Sequence, residues 1–246
     1  MNNFWLPVIT LWQRELVRFW RQKSRVLGVV ASPLVFWLLI GSGSGDLGRF
    51  FAGALVLTIL FSAIFSTISI IEDRREGFLL SMLVSPASRT SLVLGKIMGA
   101  ATLAWIQGLI FLAFAPLAKV SIGIGDVFAL VGAIFLVSFT LTGLGFVIAW
   151  RMDSTAGFHA IMNLLLVPMW MVSGSLFPLA TAHGWIKAVM WVNPLTYSIS
   201  LLNSLLKLDT GSPGAPVSLA VTLAFGLVLL IASGVVANKK ALVSNA

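Results

Sequence analysis

Apolar and polar positions fall in long blocks along this chain. Six predominantly apolar runs, near residues 26–45, 49–71, 92–117, 126–150, 155–176 and 216–237, are each long enough as a helix to cross a hydrocarbon core, which is about 30 Å thick. The runs are continuously apolar, whereas barrel strands alternate apolar and polar positions, so the pattern predicts an all-α polytopic membrane protein with six transmembrane helices.

The segment before the first run has a different period. At about 100° per residue, Trp5, Val8, Ile9, Trp12, Leu16, Phe19 and Trp20 share one face and Arg14, Arg18, Arg21 and Arg25 the other, which predicts an amphipathic interfacial helix over residues 1–25. It serves either as a passive anchor or as a lever that docks on a partner or grips lipid headgroups. Its charges follow the apolar residues instead of preceding them, unlike a signal peptide, so the segment is expected to stay in the mature chain.

Between the second and third runs lies the densest charge cluster, Glu72, Asp73, Arg74, Arg75 and Glu76, followed by Gly77, then Phe78, Leu79, Leu80, Met82 and Leu83, with Pro86 closing the stretch. A short helix beginning near Gly77 would carry acidic residues at its positive end and offer apolar side chains beside charges. That composition suits docking on a cytoplasmic partner; a turn resting on lipid is the alternative.

In the third run Gly95 and Gly99 stand four apart, and Ala104 and Gly108 repeat the spacing, which lets a neighbouring helix approach closely. Lys96 lies near the end of that run and reads as a side chain snorkelling to the headgroups. In the fifth run His159 and Asn163 share a face; they serve either as helix-to-helix hydrogen bonds or as lining of a substrate route, and Gln107 carries the same two readings. Residues 177–215 are broken by Pro178, Gly184, Asn193 and Pro194 and predict a helical hairpin dipping back into the outer leaflet before the last span.

Composition fits this picture: 59% of the 246 residues are hydrophobic and 10% charged, with a mean hydropathy of +1.02, whereas soluble domains carry about 25% charged residues. Of the 16 Lys and Arg residues, all but Arg49, Lys119, Lys187 and Lys207 fall on one side of a six-span arrangement. By the positive-inside rule that side, with both termini, is cytoplasmic, and Lys239 and Lys240 weigh against a seventh span. The net charge of +8 is thereby explained by topology and anionic lipid, without nucleic acid.

The chemistry that is missing is equally informative. All eight acidic residues lie in loops or at span ends, so no carboxylate marks a mid-membrane ion-coupling site. The Gly95–Lys96 pair lacks the rest of a phosphate loop, cysteine is absent, and His159 and His183 lie on different segments, so neither ATP hydrolysis, a metal site nor catalytic residues are expected on this chain. What remains is a subunit powered by a partner, a stand-alone secondary transporter or channel, or a non-transporting scaffold.

Two segments resemble the ABC-2 family of bacterial ABC-transporter permeases. EDRREGFLLSMLVSPASRTSLVLGK, residues 72–96, is similar to the family's E-x-R-x-x-G-T-x-E-x-L-x-x-x-P stretch leading to a Gly-Lys pair. The segment from Pro168 through Ser173, Gly174, Phe177, Pro178 and Trp185 to Asn193, Pro194 and Tyr197 is similar to its P…S-G-x-x-F-P…W…N-P-L-T-Y pattern. Phe78, Ser81 and His183–Gly184 depart from the family's usual Thr, acidic residue and apolar-Pro pair. The resemblance implies a single domain over 1–246: spans at 26–71, a cytoplasmic coupling helix within 72–88, spans at 89–176, the outer hairpin, a last span at 216–237 and a cytoplasmic tail. It also implies a second permease copy, two cytoplasmic ABC ATPase subunits that carry ATP and Mg, export of an amphipathic or lipid-linked substrate across a prokaryotic inner membrane, and a path near His159 and Asn163.

Overall fold

The computed structural model describes residues 4–120, 122–208 and 213–238, with the side chains of 23–26 left aside. The expected tail beyond 238 with Lys239 and Lys240, the side chains of Lys23 and Arg25, and Asp209 lie outside the described residues. Among the described residues ten α-helices follow one another: α1 Trp5–Arg21, α2 Lys23–Ser44, α3 Phe51–Arg75, α4 Phe78–Val84, α5 Arg89–Leu112, α6 Ile124–Ala149, α7 Thr155–Trp170, α8 Gly184–Val192, α9 Pro194–Leu205 and α10 Ala215–Asn238. There is no strand among the described residues.

Among the described residues, six helices are long and apolar enough to cross a membrane: α2, α3, α5, α6, α7 with the π-turn that extends it to Ser175, and α10. They coincide with the six apolar runs, and the chain is a multi-pass helical membrane protein. The third run ends earlier than expected, at Leu112, where the chain leaves the helix before a single 3-10 turn over Ala115–Ala118 that opens on Pro116. The second span runs beyond its apolar stretch to Arg75, so that Glu72 to Arg75 form its last turn.

α3 is the hub of the packing. Of its most apolar stretch 89% is buried, against 22% for α2, α7 and α10, so the first and fifth spans lie against it with most of their surface open. At the end where α3 begins, Trp37, Phe51 and Phe111 pack ring against ring with centroids 5.4 to 5.7 Å apart and pin α2, α3 and α5 together. At the same end Trp170 Nε1 donates to Gly53 O at 2.8 Å, joining the close of the fifth span to the start of the second.

The glycines of α5 have a definite neighbour, and it is α1. A Cβ on Gly95 would lie 2.9 Å from Val8 O, and one on Gly99 would lie 2.7 Å from Glu15 Cβ. The stripe of α1 buried there is Val8, Leu11, Glu15 and Phe19, while Trp5 and Trp20 remain exposed. The apolar face expected from the pattern is therefore split: part packs on α5 and part stays open, with Trp12 between, its Nε1 donating to Thr102 Oγ1 at 3.1 Å.

Candidate functional site

The last turn of α3, the middle of α1 and the first turns of α5 bring their charges together at one end of the bundle. Asp73 is fully buried. Arg14 grips it with both terminal nitrogens, Nη1 to Oδ2 at 3.0 Å and Nη2 to Oδ1 at 2.7 Å, and Arg18 Nη1 adds a third bond at 2.7 Å. Lys96 donates to Asp73 and, at 2.5 Å, to Glu15 Oε1. Arg18 Nη2 also reaches Glu72 at 2.7 Å and lies 3.7 Å from Glu76. Burial works against the Arg14 charge, but the hydrogen bond and attraction of Asp73, with Glu15 and Glu76 adding, outweigh it and raise its pKa above the ordinary arginine value.

Lys96 is thus no snorkelling residue. Its side chain is 4% exposed and faces inward, because two carboxylates on neighbouring helices hold it more strongly than headgroup water would. The basic face of α1 turns the same way: Arg14 and Arg18 point at the protein's own carboxylates, and Arg21 alone of the three stays exposed. Glu15, expected with the other acidic residues in a loop or at a span end, lies instead in the middle of α1 and is buried. The signal was its place between Leu11 and Phe19 at four-residue spacing, on the stripe that packs against α5.

α4 sits directly on this cluster. Gly77 precedes it at φ +75°, a left-handed conformation that costs any other residue strain, and its N–H closes the end of α3 on Arg74 O at 3.2 Å. Ser85 ends the helix in extended conformation, as the residue before Pro86 prefers. Leu79 and Met82 are buried against Leu11 of α1 and Leu92 of α5. Phe78 lies under the Arg14 guanidinium, 3.8 Å from its ring centre. The other side is open, with Leu80 65% and Val84 76% exposed beside Glu76 and Pro86, which are exposed too.

The remaining charges of the cluster make a second link. Arg74 Nη1 donates to Met152 O and to Asp153 Oδ1, each at 2.8 Å, and Nη2 donates to Trp150 O. Arg75 Nε donates to Asp153 O at 3.1 Å. The approach to α4 is thereby fastened to the connection between α6 and α7. Of the residues singled out at 72–86, Glu72, Asp73 and Arg74 face the protein and Arg75, though exposed, is bonded to Asp153 O, whereas Glu76, Gly77 and the outer side of α4 are open.

The other candidate residues lie elsewhere. His159 is half-buried with its ring 5.4 Å from that of Phe65 on α3, and Asn163 is exposed on the open side of α7. Gln107 is buried with neither amide atom bonded. At the far end, Asn193 Oδ1 accepts from Leu195 N at 3.0 Å and caps α9, while Nδ2 donates to Met169 O at 2.6 Å and Val172 O at 3.3 Å. Pro194 takes the first position of α9, where its missing N–H has no cost, and Tyr197 donates its hydroxyl to Trp191 O at 2.9 Å. Among the described residues no group of side chains suits a metal ion.

Comparison with known proteins gives this geometry a setting. The chain is 27% identical over 205 residues to a putative transport permease ycf38 of Porphyra purpurea, covering 76% of this chain and 69% of the relative. It is 26% identical over 215 residues to nodulation protein J of Neorhizobium galegae, covering 79% of each, and 25% identical over 239 residues to nodulation protein J of Rhizobium meliloti (strain 1021), covering 87% and 85%. The model of the ABC-2 type transporter family matches residues 7–206, from the start of α1 past the end of α9, and this chain belongs to that family of membrane transport permeases.

Proposed function

We propose that this chain is the permease subunit of an ATP-driven exporter, that a separate cytoplasmic ATPase docks on α4, and that the substrate is amphipathic or lipid-linked. One observation carries the docking surface. α4 is sunk by Leu79 and Met82 into α1 and α5, its approach is held by ions linking three helices, and Leu80 and Val84 stand out into the surroundings beside Glu76. A push on that outer side is transmitted as a rigid displacement, because α4 cannot move without α1, α3 and α5. Arg74 and Arg75 extend the same motion to the start of α7.

In this reading the α4 end and both termini are cytoplasmic, α8 and α9 form an outer re-entrant hairpin, and the cell membrane is a prokaryotic inner one. Two permease copies meet across α2 and α7, which have most of their surface open and where Asn163 offers an exposed amide, with α3 buried behind them. ATP closes the paired ATPases, the two α4 helices approach each other, and tilting of the spans opens the route between copies. ATP and Mg stay on the partner chain.

The test is co-purification followed by transport. A nucleotide-binding protein retained in detergent by the wild-type chain and lost from a Leu80→Glu, Val84→Glu variant, together with ATP-dependent export of a fluorescent amphipath from vesicles, is the expected result. Ion-driven flux by this chain alone, with no such partner, would replace this reading with that of a secondary transporter.

A further inference from the structure

A groove of about 440 Å³ runs between α1, α2 and α5. Val17, Trp20 and Arg21 line it from α1, Val30 from α2, and Ile106 and Ile110 from α5. Since α2 and α5 are spans, the open side of the groove faces the bilayer, and its apolar walls suit hydrocarbon. One feature selects the kind of lipid. Arg21 in the lining is exposed and, unlike Arg14 and Arg18, has no acidic partner among the described residues.

We propose that this groove binds one anionic phospholipid, with an acyl chain along Ile106 and Ile110 and its phosphate on Arg21. A guanidinium pairs with phosphate through two parallel N–H bonds, and Trp20 beside it is a side chain suited to the headgroup level. The bound lipid becomes a wedge between α1 and the first span, bracing the helix that carries Arg14 and Arg18. The site stands on α1 and the spans α2 and α5 and is independent of how transport is powered.

Bromine on an acyl chain quenches an indole it touches, and Trp20 is placed to report it. The full chain is reconstituted in nanodiscs of phosphatidylcholine containing a small share of chain-brominated phosphatidylglycerol, or the same share of chain-brominated phosphatidylcholine. The Trp20 contribution is the difference between wild type and Trp20→Phe. The expected result is several-fold stronger quenching by the anionic lipid. Arg21→Gln should reduce that preference about fivefold, the factor corresponding to one basic residue at an anionic surface, and Arg21→Lys should restore part of it. Val30→Phe, which fills the groove, should lower quenching by both lipids. Equal quenching of Trp20 by the two lipids, or an anionic preference unchanged in Arg21→Gln, overturns the proposal. Arg21 is exposed, so its replacement leaves the packing intact and the experiment holds even if Val30→Phe does not insert.

Discussion

Arg14 and Asp73, 59 residues apart in sequence, form a two-bond fork in which the carboxylate is wholly buried and the guanidinium partly exposed. The fork fixes α1 to the end of the second span. Arg14→Lys keeps the charge but offers a single point of contact, so it should lose most of the interaction. Loss of a charge-assisted pair costs about 1.5–3 kcal/mol. Since Arg18 and Lys96 still hold Asp73, the lower half of that range is expected for both Arg14→Lys and Arg14→Ala, read from unfolding midpoints in detergent.

Lys96 and Glu15 behave as one unit. Replacing Lys96 by Met leaves Glu15 without its closest partner in a buried setting, and breaking a buried pair costs about 3–5 kcal/mol. Glu15→Gln in the Lys96→Met background removes the stranded charge, so the double variant should be more stable than the sum of the two single losses by about 1–3 kcal/mol. A double-mutant cycle on unfolding free energies measures this coupling. Strict additivity would show that the two side chains do not act on each other.

Gly99 tests how closely α1 must approach. A Cβ there would stand 2.7 Å from Glu15 Cβ, so Gly99→Leu forces α1 off α5 and should cost at least about 1–3 kcal/mol. The displacement also separates Trp12 Nε1 from Thr102 Oγ1. A shifted Trp12 emission, and faster proteolysis within α1, are the expected signatures, and Gly43→Leu, where a side chain would meet open space, is the matched control.

How much of this was legible in sequence follows from what each pattern encodes. Apolar runs longer than the bilayer is thick define spans without reference to neighbours, and all six were readable. The close glycine spacing in α5 foretold a tight helix contact but not its partner, because spacing describes one surface only. For the same reason the inward turn of Lys96, read as snorkelling, and the partners of Arg14 and Arg18 are not legible in the sequence. A basic residue near a span end goes to headgroups unless a carboxylate waits inside, and here Asp73 and Glu15 arrive from two other helices. Asn193 was noticed as part of a family-like motif, whereas its bonds to Met169 O and Val172 O depend on how the chain turns at 171–175.

Asn193 should be irreplaceable by residues of similar size. It caps α9 with its oxygen and holds two carbonyls of the preceding turn with its nitrogen, so Asp keeps the cap and loses the donor. Loss of a cap costs about 1 kcal/mol and each buried carbonyl left unpaired about 1–3 kcal/mol. Asn193→Asp should therefore destabilise by most of the Asn193→Ala loss, read from thermal unfolding of the purified chain.

Gly77 separates stability from coupling. Its φ of +75° is unfavourable for side-chain-bearing residues, and a Cβ there meets nothing within 4 Å, so substitution strains the backbone without a clash. Gly77→Ala should cost about 1–2 kcal/mol, and Gly77→Val more, since β-branching narrows the choice further. The strain is relieved by re-aiming α4, which unseats Leu79 and Met82 while leaving the spans untouched. In the exporter reading, Gly77→Val should insert at wild-type levels and retain the ATPase weakly, with hydrolysis no longer linked to export. Measured together in vesicles, hydrolysis and export that remain linked in this variant would show that the aim of α4 does not set the coupling. Glu76→Lys should also uncouple at a smaller stability cost, because Glu76 is 61% exposed and its 3.7 Å pair with Arg18 is a weak surface one.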